Sequence, residues 1–102
     1  MITFFIPDTQ HSVVIHKDVD AIMKMLELPL LPSFRLECDQ LPGLRTAIAN
    51  HIGYGEELEM MTLSRDVSVA VAAGYIYRML RELARLNSYA IENHYGIEWQ
   101  RQ

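Results

Sequence analysis

The sequence predicts an α+β fold: a small, mainly antiparallel sheet of about three strands packed on helices, with a long C-terminal helix. Three observations carry it. Two β-prone runs, Ile2 to Ile6 and Ser12 to His16, flank the turn-like Pro7-Asp8-Thr9. Phe34 to Asp39 alternates apolar and polar residues. Ser64 to Tyr95 contains no proline, keeps helical apolar spacing and ends against Gly96.

The opening pair reads as a β-hairpin. In its second strand Val13 and Ile15 share one face, and Ser12, Val14 and His16 share the other. The apolar content of both strands predicts a sheet covered over much of its area. Asp18 is placed to cap a short helix running to about Leu28, with Val19, Ile22, Met23 and Leu26 on its buried side. Pro29 and Pro32 then hold the chain extended, because a residue before proline avoids helical geometry. In the third strand the alternation points Phe34, Leu36 and Cys38 inward. Pro42 suits the first turn of the next helix, whose apolar positions are Leu44, Ala47, Ile48 and Ile52. Gly53 and Gly55 are expected to end it, and Glu56 to Leu63 is expected to be helical again.

The long helix takes Ser64 as N-cap and Gly96 as its left-handed C′ residue. At 100° per residue, Val69, Ala72, Ala73, Ile76, Met79, Leu80, Leu83, Leu86 and Ala90 fall within about 140°, a core stripe. The opposite face changes along the helix. It carries Val67, Ala70, Val71 and Gly74 first, which predicts burial all round, and then Arg78, Arg81 and Arg85. A continuous helix of this length spans roughly 46 Å. A compact sphere of this chain length has a diameter of roughly 33–35 Å. The helix must therefore bend, with Asn87-Ser88 as the weak step, or pack its end on a second chain. In the second case Ile76, Leu80, Leu83 and Asn87 form the dimer seam, since a buried Asn can fix helix register.

With 102 residues, the chain reads as one domain spanning residues 1–102. Half its residues are hydrophobic and 22% charged, a globular composition. The net charge of −4 argues against binding nucleic acid or anionic lipid through summed positive charge. The lone Cys38 excludes an intrachain disulfide and a multi-cysteine metal site. MITFFIPDTQ lacks a basic n-region and a signal-length apolar run, and no stretch reaches the roughly 18–20 apolar residues of a membrane span. A cytoplasmic protein is the expectation.

No motif carries recognisable chemistry. Ala49-x-x-x-Gly53 resembles the first helix and turn of a helix-turn-helix, but the recognition helix would then begin Glu56-Glu57-Leu58-Glu59 and meet phosphate with carboxylates. His11 and His16 are five apart on a strand, His51 and His94 lie apart from other ligands, and no HExxH, paired CxxC or EF-hand loop occurs. Neither a metal nor a cofactor is expected, and no catalytic residue is identified. Gly53-Tyr54-Gly55 is too short for a phosphate loop and leads into acidic residues.

Arg78, Arg81 and Arg85 are the best-formed polar feature, lying within about 60° of one another on the long helix. Glu82 is spaced to pair with Arg78 and Arg85, and such pairs add roughly 0.2–0.5 kcal/mol each. Guanidinium forks match carboxylates, so this face suits an acidic protein partner, with Glu56–Glu59 of the same or another chain as one such surface. The expected function is a small noncatalytic protein-binding or regulatory module, homodimeric through the long helix. The alternative is a small ligand-binding protein or enzyme with a pocket between sheet and helices, which calls for convergent polar groups including Cys38 or a histidine.

Overall fold

The computed structural model describes the backbone of residues 1–62 and 67–102 and the side chains of residues 1–52 and 74–102. Ser64, the expected N-cap, lies outside the described residues, as do the side chains of Glu56, Glu57 and Glu59 and of the apolar run 67–73. Among the described residues, four strands and three helices follow one another as β1 (Ile2–Phe5), β2 (Ser12–Ile15), α1 (Val19–Met25), β3 (Ser33–Leu36), α2 (Leu41–Thr62), α3 (Val67–Glu92) and β4 (Ile97–Arg101). The sheet is antiparallel throughout, in the order β2-β1-β4-β3. The fold class is therefore the α+β arrangement that the sequence predicts, with one strand more.

That extra strand is β4. Ile97-Glu98-Trp99-Gln100 has the apolar–polar alternation of a half-buried strand, and after α3 it returns to the sheet between β1 and β3. Register places Phe4 opposite Trp99 and Phe34 opposite Trp99 on its other side. The indole is fully buried between these rings, at 5.5 and 5.1 Å between centroids, and its Nε1–H donates to the Leu31 carbonyl at 3.1 Å. The N-terminal hairpin is thus joined to β3 only through the last residues of the chain.

One face of the sheet meets the helices. Ile2, Phe4, Val13, Ile15, Leu36, Ile97 and Trp99 are buried there, with Val19, Ile22, Met23 and Leu26 from α1 and its end. The other face is not covered as expected: Thr3, Phe5, Val14 and Glu98 are half-buried, and Ser33, Arg35 and Gln100 are exposed. Phe34 shares the inner face by register, yet β3 is an edge strand and its ring remains 37% exposed. Cys38 is not in the strand. β3 ends at Leu36, and a 3-10 turn over Cys38–Gln40 is held by a capping box in which the Glu37 N–H donates to Gln40 Oε1 at 2.9 Å, leaving the thiol half-buried.

The helix ends depart from simple capping rules. Asp18 occupies the N-cap of α1 with left-handed φ 56°, and its carboxylate makes no capping bond. Glu27, at φ 56°, closes α1, with the Leu28 N–H donating to the Met23 carbonyl at 2.9 Å. α3 ends at Glu92 in a Schellman motif: the Tyr95 N–H reaches the Ala90 carbonyl at 2.8 Å and the His94 N–H the Ile91 carbonyl at 3.2 Å. The left-handed residue is His94, at φ 60°, not Gly96. Gly96 serves a different need, because a Cβ there would sit 2.8 Å from the Leu36 carbonyl oxygen.

α2 runs through positions 53 and 55 instead of stopping there. Glycine costs a helix interior about 1 kcal/mol relative to alanine, a penalty that packing along another long helix outweighs. α2 and α3 pack on one another. Because residues 41–62 form one helix, no helix-turn-helix exists at Gly53.

α3 does not bend into a new segment at Asn87-Ser88; it is one helix across that step. Asn87 is 1% exposed, and its Nδ2 donates to the Leu41 carbonyl at 3.1 Å. That bond sets the start of α2 beside the last turns of α3, so the two helices run in opposite directions. The molecule is elongated to accommodate them, at 44 × 27 × 23 Å with a radius of gyration of 13.8 Å. The spherical estimate fails because the helices define one long axis.

Candidate protein-binding surface

Arg78, Arg81 and Arg85 all lie exposed on α3, as their spacing implies. The expected helix pairs with Glu82 do not form. Arg78 sits over the Tyr75 ring and Arg81 over the Tyr77 ring, each at 5.6 Å from the centroid. Among the described residues, the salt bridges are Arg35–Glu37 and Arg101–Asp20, so none of the three α3 arginines is paired with a carboxylate.

Leu80, Leu83 and Asn87 of the expected dimer seam are buried by the chain's own core. They have no surface to give a second chain. Ile76 alone of the four keeps partial exposure, and it too packs against the core.

A second surface lies between sheet and helix, where the alternative reading calls for a pocket. An open groove of about 430 Å³ runs between β2 and α3, lined by His11, Ser12, Val13 and Val14 on one side and Glu82, Arg85, Leu86 and Tyr89 on the other. The His11 and Tyr89 rings close one end, 3.9 Å apart between centroids. Beyond the end of β2, Tyr75 Oη accepts the His16 N–H at 2.9 Å and the Lys17 N–H at 3.4 Å, while Lys17 Nζ lies 4.7 Å over the same ring.

The hydrogen-bond phase of the hairpin decides what β2 offers this groove. The Ile6 N–H donates to the His11 carbonyl at 3.1 Å, and Phe4 and Ile2 lie opposite Val13 and Ile15. In an antiparallel pair, residues alternate between facing the partner strand and facing away. Val13 and Ile15 therefore direct their backbone groups to β1, His11 turns its carbonyl to Ile6 on the same side, and Ser12, Val14 and His16 direct their groups outward. Tyr75 takes the outward N–H of His16. Ser12 and Val14 are left with unpaired backbone donors and acceptors among the described residues, on a strand with no neighbour on that side. The sequence signal was the apolar Val14 on the otherwise polar face of Ser12 and His16.

Neither surface assembles a nucleophile and base. No hydrogen bond joins His11, Ser12 and Glu82 among the described residues, and the free thiol of Cys38 is not among the groove's lining residues. A smaller hollow of about 210 Å³ near Asp8, Arg35 and Tyr95 has the Arg35 guanidinium already paired with Glu37 at 3.0 Å. No group of three metal-ligating side chains comes together among the described residues, and no helix there is long and apolar enough to cross a membrane. No known family, curated protein or solved structure matches the chain.

Proposed function

We propose that this chain is a noncatalytic protein-binding module, homodimeric, that docks an acidic partner on the arginine face of α3. The observation that carries the proposal is the state of Arg78, Arg81 and Arg85: three exposed guanidinium groups within one arc of a buried helix, none neutralised by a described carboxylate. Two of them rest on tyrosine rings, which limits their freedom before a partner arrives and lowers the ordering cost of docking. Carboxylate-rich surfaces meet such forks bidentately. The overall charge of −4 disfavours nucleic acid as the partner of the same face.

The test is affinity capture from native lysate with the wild-type chain and with R78E/R81E/R85E in parallel. Partners retained by the wild type and released by the triple variant, with native circular dichroism in both, is the expected result. Identical capture by the two chains removes the docking face.

A second reading is supported by the groove itself, which gathers His11, Glu82, Arg85 and Tyr89 between sheet and helix, as a small-ligand site would. Its distinguishing result is saturable binding of a small molecule that His11→Ala abolishes while an R78E/R81E variant, which keeps the groove's Arg85, retains it.

A further inference from the structure

We infer that the second copy of the homodimer proposed above joins along the free edge of β2, in one register, with a two-fold axis through Val13. The inference rests on that dimeric reading and names its surface.

The register follows from which groups are open. Only Ser12 and Val14 of β2 present outward backbone groups without a described partner, because Tyr75 already occupies the His16 N–H. Two edge strands related by a two-fold run antiparallel, and each outward residue then exchanges both backbone hydrogen bonds with its opposite. Setting Ser12 against Val14 of the second copy uses all four open groups of each strand and no others. The alternative, Val14 against Val14, would place Ser12 against a His16 whose donor is taken. An unpaired edge strand is also the feature that proteins otherwise cover or charge, and β2 carries no charge between Ser12 and Ile15.

The charges on α3 agree with this register independently. His11 touches Tyr89 and His16 touches Tyr75, so α3 runs antiparallel beside β2. The helix between those contacts is about 21 Å long and the strand about 17 Å. On that scale Val13 is level with the Leu83–Ala84 step, midway between Glu82 and Arg85. A two-fold through Val13 therefore sets Arg85 of each copy against Glu82 of the other, which leaves Arg78 and Arg81 as the part of the arginine face open to an acidic partner in the dimer. These are the groove's two acidic and basic side chains, and neither makes a described ion pair within its own chain. The result is a continuous eight-stranded sheet with a reciprocal pair of salt bridges above its centre.

Charge reversal in the intact chain tests both parts. Glu82→Arg and Arg85→Glu are made separately, with Val14→Pro as a third variant, since proline at an outward edge position removes a donor that the monomer does not use. Sedimentation velocity is run on each variant and on an equimolar mixture of the two charge variants, with native circular dichroism as the control for folding. The expected result is a wild-type dimer, a Val14→Pro monomer, self-association of each charge variant weakened on the order of tenfold or more, and recovery in the mixture. A wild-type dimer that persists in all three variants places the interface elsewhere and overturns the β2 inference while leaving the dimer standing. Failure of the mixture to recover overturns the register. A wild-type monomer overturns the dimer itself, and a groove that instead accepts a foreign strand would give that outcome.

Discussion

Asn87 donates from Nδ2 to the carbonyl of Leu41 across 3.1 Å, while its Oδ1, equally buried, has no partner among the described residues. The bond joins the first residue of α2 to the last turns of α3, the point at which the helical layer is locked over the sheet. A buried unsatisfied oxygen costs about 1–3 kcal/mol, so Asn87 positions more than it stabilises. Asn87→Asp replaces the donor by a carboxylate facing a carbonyl in a dry site and is expected to lower stability by about 3–5 kcal/mol. Asn87→Leu discards the orphaned oxygen together with the donor and is expected to change it by less than about 1.5 kcal/mol. Urea unfolding at neutral pH compares them, and equal losses would argue against this accounting.

Gly96 is fixed by space rather than by a left-handed backbone. Gly96→Ala brings a Cβ to 2.8 Å from the Leu36 carbonyl, at the first rung of the β3–β4 ladder. The expected cost is about 1–3 kcal/mol, because backbone and not a flexible side chain must give way. His94→Gly, at the true left-handed C′ position, is expected to hold or raise stability in the same denaturation series.

Arg101 anchors the end of β4 to α1 through Asp20. The hydrogen bond from Arg101, more than its charge, holds the Asp20 carboxyl below its ordinary value of 3.8. A depressed folded-state value means that the contribution is present above pH 3.8 and is lost as pH falls through the lower folded value. Asp20→Asn is therefore expected to unfold at lower urea than the wild type at neutral pH, with the gap closing in that acid range. A gap that widens on acidification would contradict a lowered Asp20 value in the folded chain.

Trp99 is the sole tryptophan and the centre of the sheet. Its emission is expected to be that of a buried indole and to shift to the red in one step with loss of circular dichroism. Trp99→Ala is expected to cost about 3–5 kcal/mol, more than the truncation of the exposed Phe34 stacked on it.

Local pattern carried much of the fold. The opening hairpin, the buried side of α1, the third strand as far as Leu36 and the stripe Met79, Leu80, Leu83, Leu86 and Ala90 are in place, because each is a periodicity written in consecutive residues. What escaped depends on distant parts of the chain. Ile97–Arg101 is a central strand only because β1 and β3 leave a gap for it. Gly53 and Gly55 lie inside α2, a helix that packs on α3 and so depends on a part of the chain distant from both glycines. Asn87, a weak helix former in isolation, is held in the helix and buried against Leu41. The arginine face was legible as a spacing. The free edge of β2 was not, since it follows from strand order, from the phase of the hairpin and from a tyrosine 59 residues away that closes one end.

The most direct measurement is sedimentation velocity of the intact wild-type chain from about 1 to about 100 μM, the range in which a modest protein interface is populated. The expected result is a shift with concentration from the chain mass to twice that mass. A single species of the chain mass across the whole range would contradict the central claim that this module works as a pair.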